Sequence, residues 1–376
     1  MEKVAARAHG HALDLNAVGS ARPARRWVML ASELYSLSIL RPLASEAIAR
    51  GHTVAWLARD ALAEHLTPQE PRLGSWRALR SYAPDAVFST VNRIPSVLPG
   101  LQVQVFHGLN LHKRDPRLGQ FRIQDLFDLY CTHGPATTAP LQALAARHGN
   151  FAVVETGWPK LDLLFPGPGA GVAALRRAAR GRVIVMYAST FNAPLSQARA
   201  CLPVLERLVA RGDRFWLITL HPMSPPELVA RYRQLAGEHA IYLDSDRLAD
   251  MQHAADVLVC DTSSVIEEFS LLGKPVVTVR HRQPQPFMHD IDSPERIDAT
   301  LRQVLSEPLA RRAAMEAYAD EIHPARDGRS ARRVLDAVEV HLDQRFGLRR
   351  RPRRPWRRWW RTWKMLRALF PGQTRP

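Results

Sequence analysis

Two histidines in this 376-residue chain end apolar runs: His107 in Val103-Gln-Val-Phe-His107-Gly108, and His221 in Leu217-Ile-Thr-Leu-His221-Pro222. A neutral imidazole near pH 7 can take a hydroxyl proton, and its protonated form can hold phosphate oxygens. A lone histidine at such a place also serves often as a plain hydrogen-bonder, so the pair carries more weight than either member. A third run, Val257-Leu-Val-Cys-Asp-Thr-Ser-Ser264, stops at Asp261 and predicts a helix opening over Thr262–Ser264. Hydroxyls there cap free backbone N–H groups, or leave those groups and the positive helix end to hold a phosphate. Capping explains one such residue; three in a row favour the phosphate.

Strand-end residues meet only if the strands lie side by side. Apolar runs at Trp27–Leu30, His52–Leu57, Ala86–Thr90, Val103–Phe106, Leu129–Thr132 and Val153–Thr156 alternate with helical or polar stretches. A second series follows at Val183–Tyr187, Phe215–Leu220, Ile241–Leu243, Val257–Cys260 and Val276–Val279, with helices between and helical patterns from Pro294 to Asp343. This alternation predicts an α/β protein with a covered parallel sheet in each half. The run Pro166-Gly-Pro-Gly169 reads as a linker. The expected organisation is a flexible arm (1–25), a first Rossmann-like domain (26–165), a linker (166–181), a second domain (182–346) and a basic tail (347–376). Two doubly wound domains facing across a cleft would bind ligands beyond the carboxyl ends of their strands.

Apolar residues make up 46% of the chain and charged residues 23%, the balance of a soluble globule. Cys131, Cys201 and Cys260 sit in apolar runs, too few and too scattered for a disulfide framework or a cysteine zinc site. No run approaches a membrane span, and Met1–Arg26 does not resemble a signal peptide. Secreted, fibrous and integral-membrane classes are therefore not expected. The net charge is +16, of which Arg349–Pro376 carries +11 with no acid.

On a helical wheel Trp356, Trp359, Trp360, Trp363, Leu366 and Phe370 of that tail share one face, opposite Arg357, Arg358, Arg361 and Lys364. This is the pattern of a helix lying on an anionic membrane surface. Arginine with tryptophan also makes a stacking platform for single-stranded nucleic acid. Segregation of the aromatics favours the membrane, and nucleic acid is not the expected partner.

The ordered set His107-Gly108, Thr156-Gly-Trp-Pro-Lys-Leu-Asp162, Tyr187-Ala-Ser-Thr-Phe191, His221-Pro222, Asp261-Thr-Ser-Ser264, Gly273-Lys-Pro275 and Asp327-Gly-Arg-Ser330 resembles a known family. It is similar to the CDP-glycerol glycerophosphotransferases of teichoic-acid-type polymer synthesis, which have the GT-B fold. The resemblance runs from about Val103 to Ser330. It implies that His107, beside Gly108, is the general base, and that His221 contacts the donor phosphates. It also implies that Ser263 and Ser264 meet the pyrophosphate and that Thr190 faces the nucleotide. Thr262 stands where the family usually has an aromatic, and Asn192 where it tends to have a basic residue. Asp261-Thr-Ser-Ser-Val-Ile-Glu267-Glu268 with Gly273-Lys-Pro275 is also similar to the UDP-N-acetylglucosamine 2-epimerases, which share the fold and carry an analogous glutamate pair. His107-Gly108 favours the transferase. The expected partners are a CDP-linked polyol donor, a lipid-linked glycan or polymer acceptor and an anionic membrane, with the protein peripheral on the cytoplasmic face. Neither resemblance requires a metal or another cofactor.

Overall fold

The computed structural model describes residues 6–8, 11–13, 23–109, 121, 123–165, 167, 169–344 and 355–370; residues 6–8, 11–13 and 355–361 are described by backbone alone. The chain forms two compact units, Met1–Asp162 with Glu321–Pro376, and Leu163–Asp320.

In unit 1, β1 (Ala6–Ala8) and β2 (His11–Leu13) pair antiparallel. There follow β3 (Arg26–Ala31), α1 (Tyr35–Ala49), β4 (Thr53–Ala58), α2 (Asp60–Ala63), α3 (Trp76–Tyr82), β5 (Ala86–Ser89) and β6 (Leu101–Gln104). Then come β7 (Leu129–Thr132), α4 (Pro135–His148) and β8 (Ala152–Glu155). The sheet order is β4-β3-β5-β6-β7-β8, all parallel. The chain changes direction across the sheet at β3, so the exits of β3 and β5 flank a topological switch point. α1 ends where expected: Gly51 has φ +79, and the N–H groups of Gly51 and His52 bond back to Ile48 and Ala47. The strand expected at Val103–Phe106 lies two residues earlier, which leaves His107 beyond a short bend.

Unit 2 holds α5 (Ala170–Ala179), β9 (Ile184–Ser189), α6 (Ala198–Ala210), β10 (Phe215–Leu220), α7 (Pro226–Arg233) and β11 (Ala240–Tyr242). It continues with α8 (Leu248–Ala254), β12 (Val257–Cys260), α9 (Val265–Ser270), β13 (Val276–Val279), β14 (Met288–Ile291), α10 (Ile297–Ser306) and most of α11 (Arg312–Ile322). Its parallel sheet runs β11-β10-β9-β12-β13-β14, with the switch point at β9. Alternate residues of β9 enter opposite cores: Val185 and Tyr187 on one face, Ile184, Met186 and Ala188 on the other. A strand covered on both faces must be apolar throughout, which is why these runs were readable.

The expected domain limits need correction. Most of the expected linker (166–181) is helix α5, whose Val172, Leu175 and Ala179 are buried in unit 2. The change of unit falls instead at Asp162–Leu163, inside a 3-10 turn (Pro159–Leu164). The second domain does not extend to residue 346, because the chain rejoins unit 1 from Glu321 and adds α12 (Ser330–Gln344) and α13 (Pro355–Leu369). Two motifs of the family resemblance build this return. Asp162 accepts hydrogen bonds from the N–H groups of Ser330 (2.8 Å) and Ala331 (2.6 Å) at the start of α12. The Trp158 N–H donates to His323 Nε2 at 2.8 Å, and Arg333 joins the Thr156 carbonyl and the Asp327 carboxylate. Gly157, at φ +79, is required here, since a Cβ would lie 2.5 Å from Ser330 Oγ. On the body of α12, Arg50 pairs with Asp336 and Glu339.

The tail is likewise not a free appendage. Leu366 and Leu369 of α13, with Phe370 just after it, are buried in the unit 1 core, and Thr362 Oγ1 lies 2.9 Å from Ser96 Oγ. Leu369, which the wheel places off the tryptophan face, is therefore a core residue. Trp363 is half-buried, while Lys364 and Arg367 are exposed. Of the expected arm, residues other than 6–8, 11–13 and 23–25 lie outside the described residues, as do 345–354 of the tail region.

Candidate functional site

The exits of β10, β9 and β12, adjacent strands around the unit 2 switch point, carry His221, Thr190 and Asp261–Ser264. The sheet thus gathers these predicted residues on one edge, though not in the same role. Asp261 is 2% exposed and holds the frame. Its Oδ1 accepts from the Thr190 N–H at 2.9 Å; its Oδ2 accepts from the Gln197 N–H at 2.9 Å and from the Ser189 hydroxyl. Burial pushes its carboxyl up, against the pull of these three donors. Asp261 therefore locks the β9 exit turn to the start of α6.

Thr262 is also engaged: its Oγ1 accepts from the Arg282 N–H at 3.0 Å. Ser263 Oγ makes a long contact (3.4 Å) with the Val265 N–H. Ser264 is exposed and does not cap α9. The helix that the three hydroxyls were expected to open is only six residues long and starts at Val265. Glu267 lies within α9 and is 4% exposed, a buried side chain rather than part of the open strand-end surface.

His221 is exposed, and its Nδ1 accepts the Met223 N–H at 3.1 Å. A backbone N–H can only donate, so the neutral ring carries its proton on Nε2 and presents a donor there. Phe191 packs on this ring at 4.3 Å between centroids. In unit 1 the geometry is reversed. His107 Nδ1 lies 3.2 Å from the Thr90 carbonyl at the β5 exit. A carbonyl can only accept, so the Nδ1 of His107 is protonated and the neutral ring has its lone pair on Nε2. Thr90 is itself fixed, its Oγ1 2.8 Å from Ser36 Oγ in the first turn of α1, and Tyr35 packs on the imidazole. Gly108 follows, half-buried.

Sequence reasoning missed Ser189, Phe191 and Thr90 as positioning residues. Ser189 and Phe191 lay within a motif already noted; Thr90 carried no signal, because its carbonyl does the work. His133 is buried between Phe106 and Trp158 in unit 1. Burial, with help from His323 and His107, pushes it down to about 3, so it stays neutral. His112 lies outside the described residues. The three cysteines are free and buried. No group of three or more His, Cys, Asp or Glu suited to a metal occurs among the described residues.

Two Rossmann-type units, each with a parallel six-stranded sheet, define a GT-B-like α/β protein. Within that class, the family model for CDP-glycerol:poly(glycerophosphate) glycerophosphotransferase matches residues 122–283, under half of the chain. The wall teichoic acid polymerase TagF superposes with a TM-score of 0.61 at 13% identity, over 85% of this chain and 90% of that one. The S. aureus MnaA–UDP structure matches with a TM-score of 0.59 at 12% identity, over 85% and 97% of the two chains. A putative UDP-N-acetylglucosamine 2-epimerase from Listeria monocytogenes matches with a TM-score of 0.59 at 15% identity, over 88% and 99%. No curated protein matches by sequence. Both resemblances read from the sequence are thus borne out, the glycerophosphotransferase one also in sequence.

Proposed function

We propose that the protein transfers a polyol phosphate, with glycerol phosphate the first candidate, from a CDP-linked donor to a lipid-linked glycan or polymer acceptor. His107 Nε2 takes the proton of the acceptor hydroxyl as its oxygen bonds to the β-phosphorus. The bond from that phosphorus to the bridging oxygen breaks, and CMP leaves with the electron pair. Ser263, Ser264, Thr190 and the Nε2–H of His221 hold donor oxygens in unit 2. One observation carries this assignment: the two strand-end imidazoles are fixed by their backbone partners in opposite tautomers, one basic and one donating at Nε2. The family match over residues 122–283 supports the CDP-linked donor.

The test is CMP release on incubation with CDP-glycerol and candidate acceptors. Turnover of UDP-N-acetylglucosamine, with none of CDP-linked polyols, would move the protein to the epimerases or to sugar transfer, a reading that the fold of the MnaA and Listeria structures equally allows. The basic tail supports a peripheral place on the anionic cytoplasmic face of the membrane. Among the described residues no helix is long and apolar enough to cross a membrane. Nucleic-acid binding through the tail, with no nucleotide site in unit 2, is the competing outcome.

A further inference from the structure

A diphosphate carries negative charge on both phosphates, and the departing nucleotide gains more. The exits that gather the predicted donor residues offer no permanent cation: Thr190–Gln197, His221–Pro225 and Asp261–Ser264 contain neither lysine nor arginine. Lys274, the next basic residue after Ser264, is committed elsewhere, its ammonium donating to the carbonyls of Gln252, His253 and Ala255. The neighbouring strand supplies what is missing. β13 lies beside β12, and its exit reads Arg280-His281-Arg282.

That turn is built rather than loose. Arg280 adopts φ +50, a left-handed conformation uncommon outside glycine, Asn and Asp. Its N–H bonds to the Ile291 carbonyl at 2.8 Å and its Nε to the Asp292 carbonyl at 2.6 Å. The His281 N–H donates to Asp290 Oδ1 at 2.9 Å, an oxygen that also accepts from the Thr278 hydroxyl. The Arg282 N–H then donates to Thr262 Oγ1, in the hydroxyl turn itself. Arg282 therefore has its backbone tied next to Ser263, while its side chain is exposed and makes no salt bridge among the described residues.

We propose that Arg282 is the cation that binds the donor's diphosphate in unit 2, and that Thr262 positions it there instead of touching the ligand. This rests on the donor reading above. A guanidinium suits the task, since it is always charged and its planar fork pairs with two phosphate oxygens.

Titration calorimetry of the full chain with CDP, UDP and cytidine tests it. Arg282→Gln should weaken CDP binding by about 10- to 100-fold and leave cytidine binding unchanged. Thr262→Val should give a smaller loss of the same kind, and adding it to Arg282→Gln should cost nothing further. Arg282→Lys should recover part of the affinity. Because Arg282 is exposed, thermal melting of its variants should match the wild type. Unchanged CDP affinity in Arg282→Gln, or full additivity of the two losses, overturns the proposal. If the wild type binds UDP but not CDP, the cytidine donor falls and Arg282 is judged on UDP by the same criteria. If it binds neither, the donor reading falls and this inference with it.

Discussion

At the scale of single residues, type was easier to read than role. His107 and His221 look alike in sequence, each an imidazole after an apolar run. A carbonyl from Thr90 and an N–H from Met223, neither visible in the sequence, set opposite tautomers on the two rings. Asp261 illustrates the opposite error: its place ahead of Thr262, Ser263 and Ser264 suggests ligand contact, yet its buried oxygens are engaged by Ser189, Thr190 and Gln197. The tautomers predict different losses. His107→Ala should cost about 10²–10⁴ in the rate of CMP release while leaving CDP binding intact. His221→Ala should weaken CDP binding as well as rate. Steady-state kinetics with calorimetry separates the two, and a His107 variant turning over near the wild-type rate removes it from the chemistry.

At the scale of elements, parallel strands buried on both faces announced themselves as apolar runs, and β7, β10, β12 and β13 lie where their residues placed them. β14 did not, since Met288-His-Asp-Ile291 mixes polar and apolar residues at a sheet edge. α5 was hidden by the Pro/Gly run before it, and the return of α12 rests on contacts between Asp162 and residues 168 and 169 positions later. α13 is the element whose reading changes most. Burying Leu366, Leu369 and Phe370 stabilises unit 1 by roughly 1.5–3 kcal/mol each. Deleting Arg349–Pro376 should therefore lower stability and soluble-substrate activity together, contrary to what a detachable anchor implies. Leu369→Ala alone should cost about 2–5 kcal/mol in urea unfolding; a cost near zero would mean that α13 does not dock.

Two buried histidines of unit 1 also make stability depend on pH. His133 is pushed down to about 3 chiefly by burial, and His323, which accepts the Trp158 N–H, to about 4, again chiefly by burial. Unfolded, both rings take a proton near pH 6.5. As pH falls from about 6.5 toward 4 the unfolded chain binds protons that the fold refuses, so stability drops by up to about 1.4 kcal/mol per pH unit for each ring. Urea midpoints between pH 7 and 4.5 should fall accordingly, and His133→Leu should flatten the slope. An unaltered slope in that variant would show that another group sets it.

At the scale of the whole molecule, charge is the feature that composition alone disclosed, and the fold decides how it is presented. The tail holds +11 of the net +16, yet the end of its apolar face is spent on the unit 1 core, not on a partner. What α13 leaves exposed among its described side chains is Lys364, Arg367 and the small Ala368, with the Arg367 guanidinium 3.9 Å from the centre of the half-buried Trp363 ring. Val97, next to the serine that bonds Thr362, is 46% exposed and adds an apolar point beside the helix. An anionic bilayer would meet this surface at roughly 1 kcal/mol per basic side chain near the headgroups. Point variants test the idea where truncation cannot, because they leave Leu366, Leu369 and Phe370 in place. The full chain should sediment with vesicles containing anionic lipid and not with neutral ones. Lys364→Glu with Arg367→Glu should weaken that binding by at least about 2 kcal/mol, roughly 30-fold. Raising salt from 0.1 M to 1 M, which shortens the screening length from about 10 Å to about 3 Å, should release most of the protein. Vesicle binding untouched by the charge reversals, alongside lost binding to a single-stranded oligonucleotide, would assign the tail to nucleic acid instead.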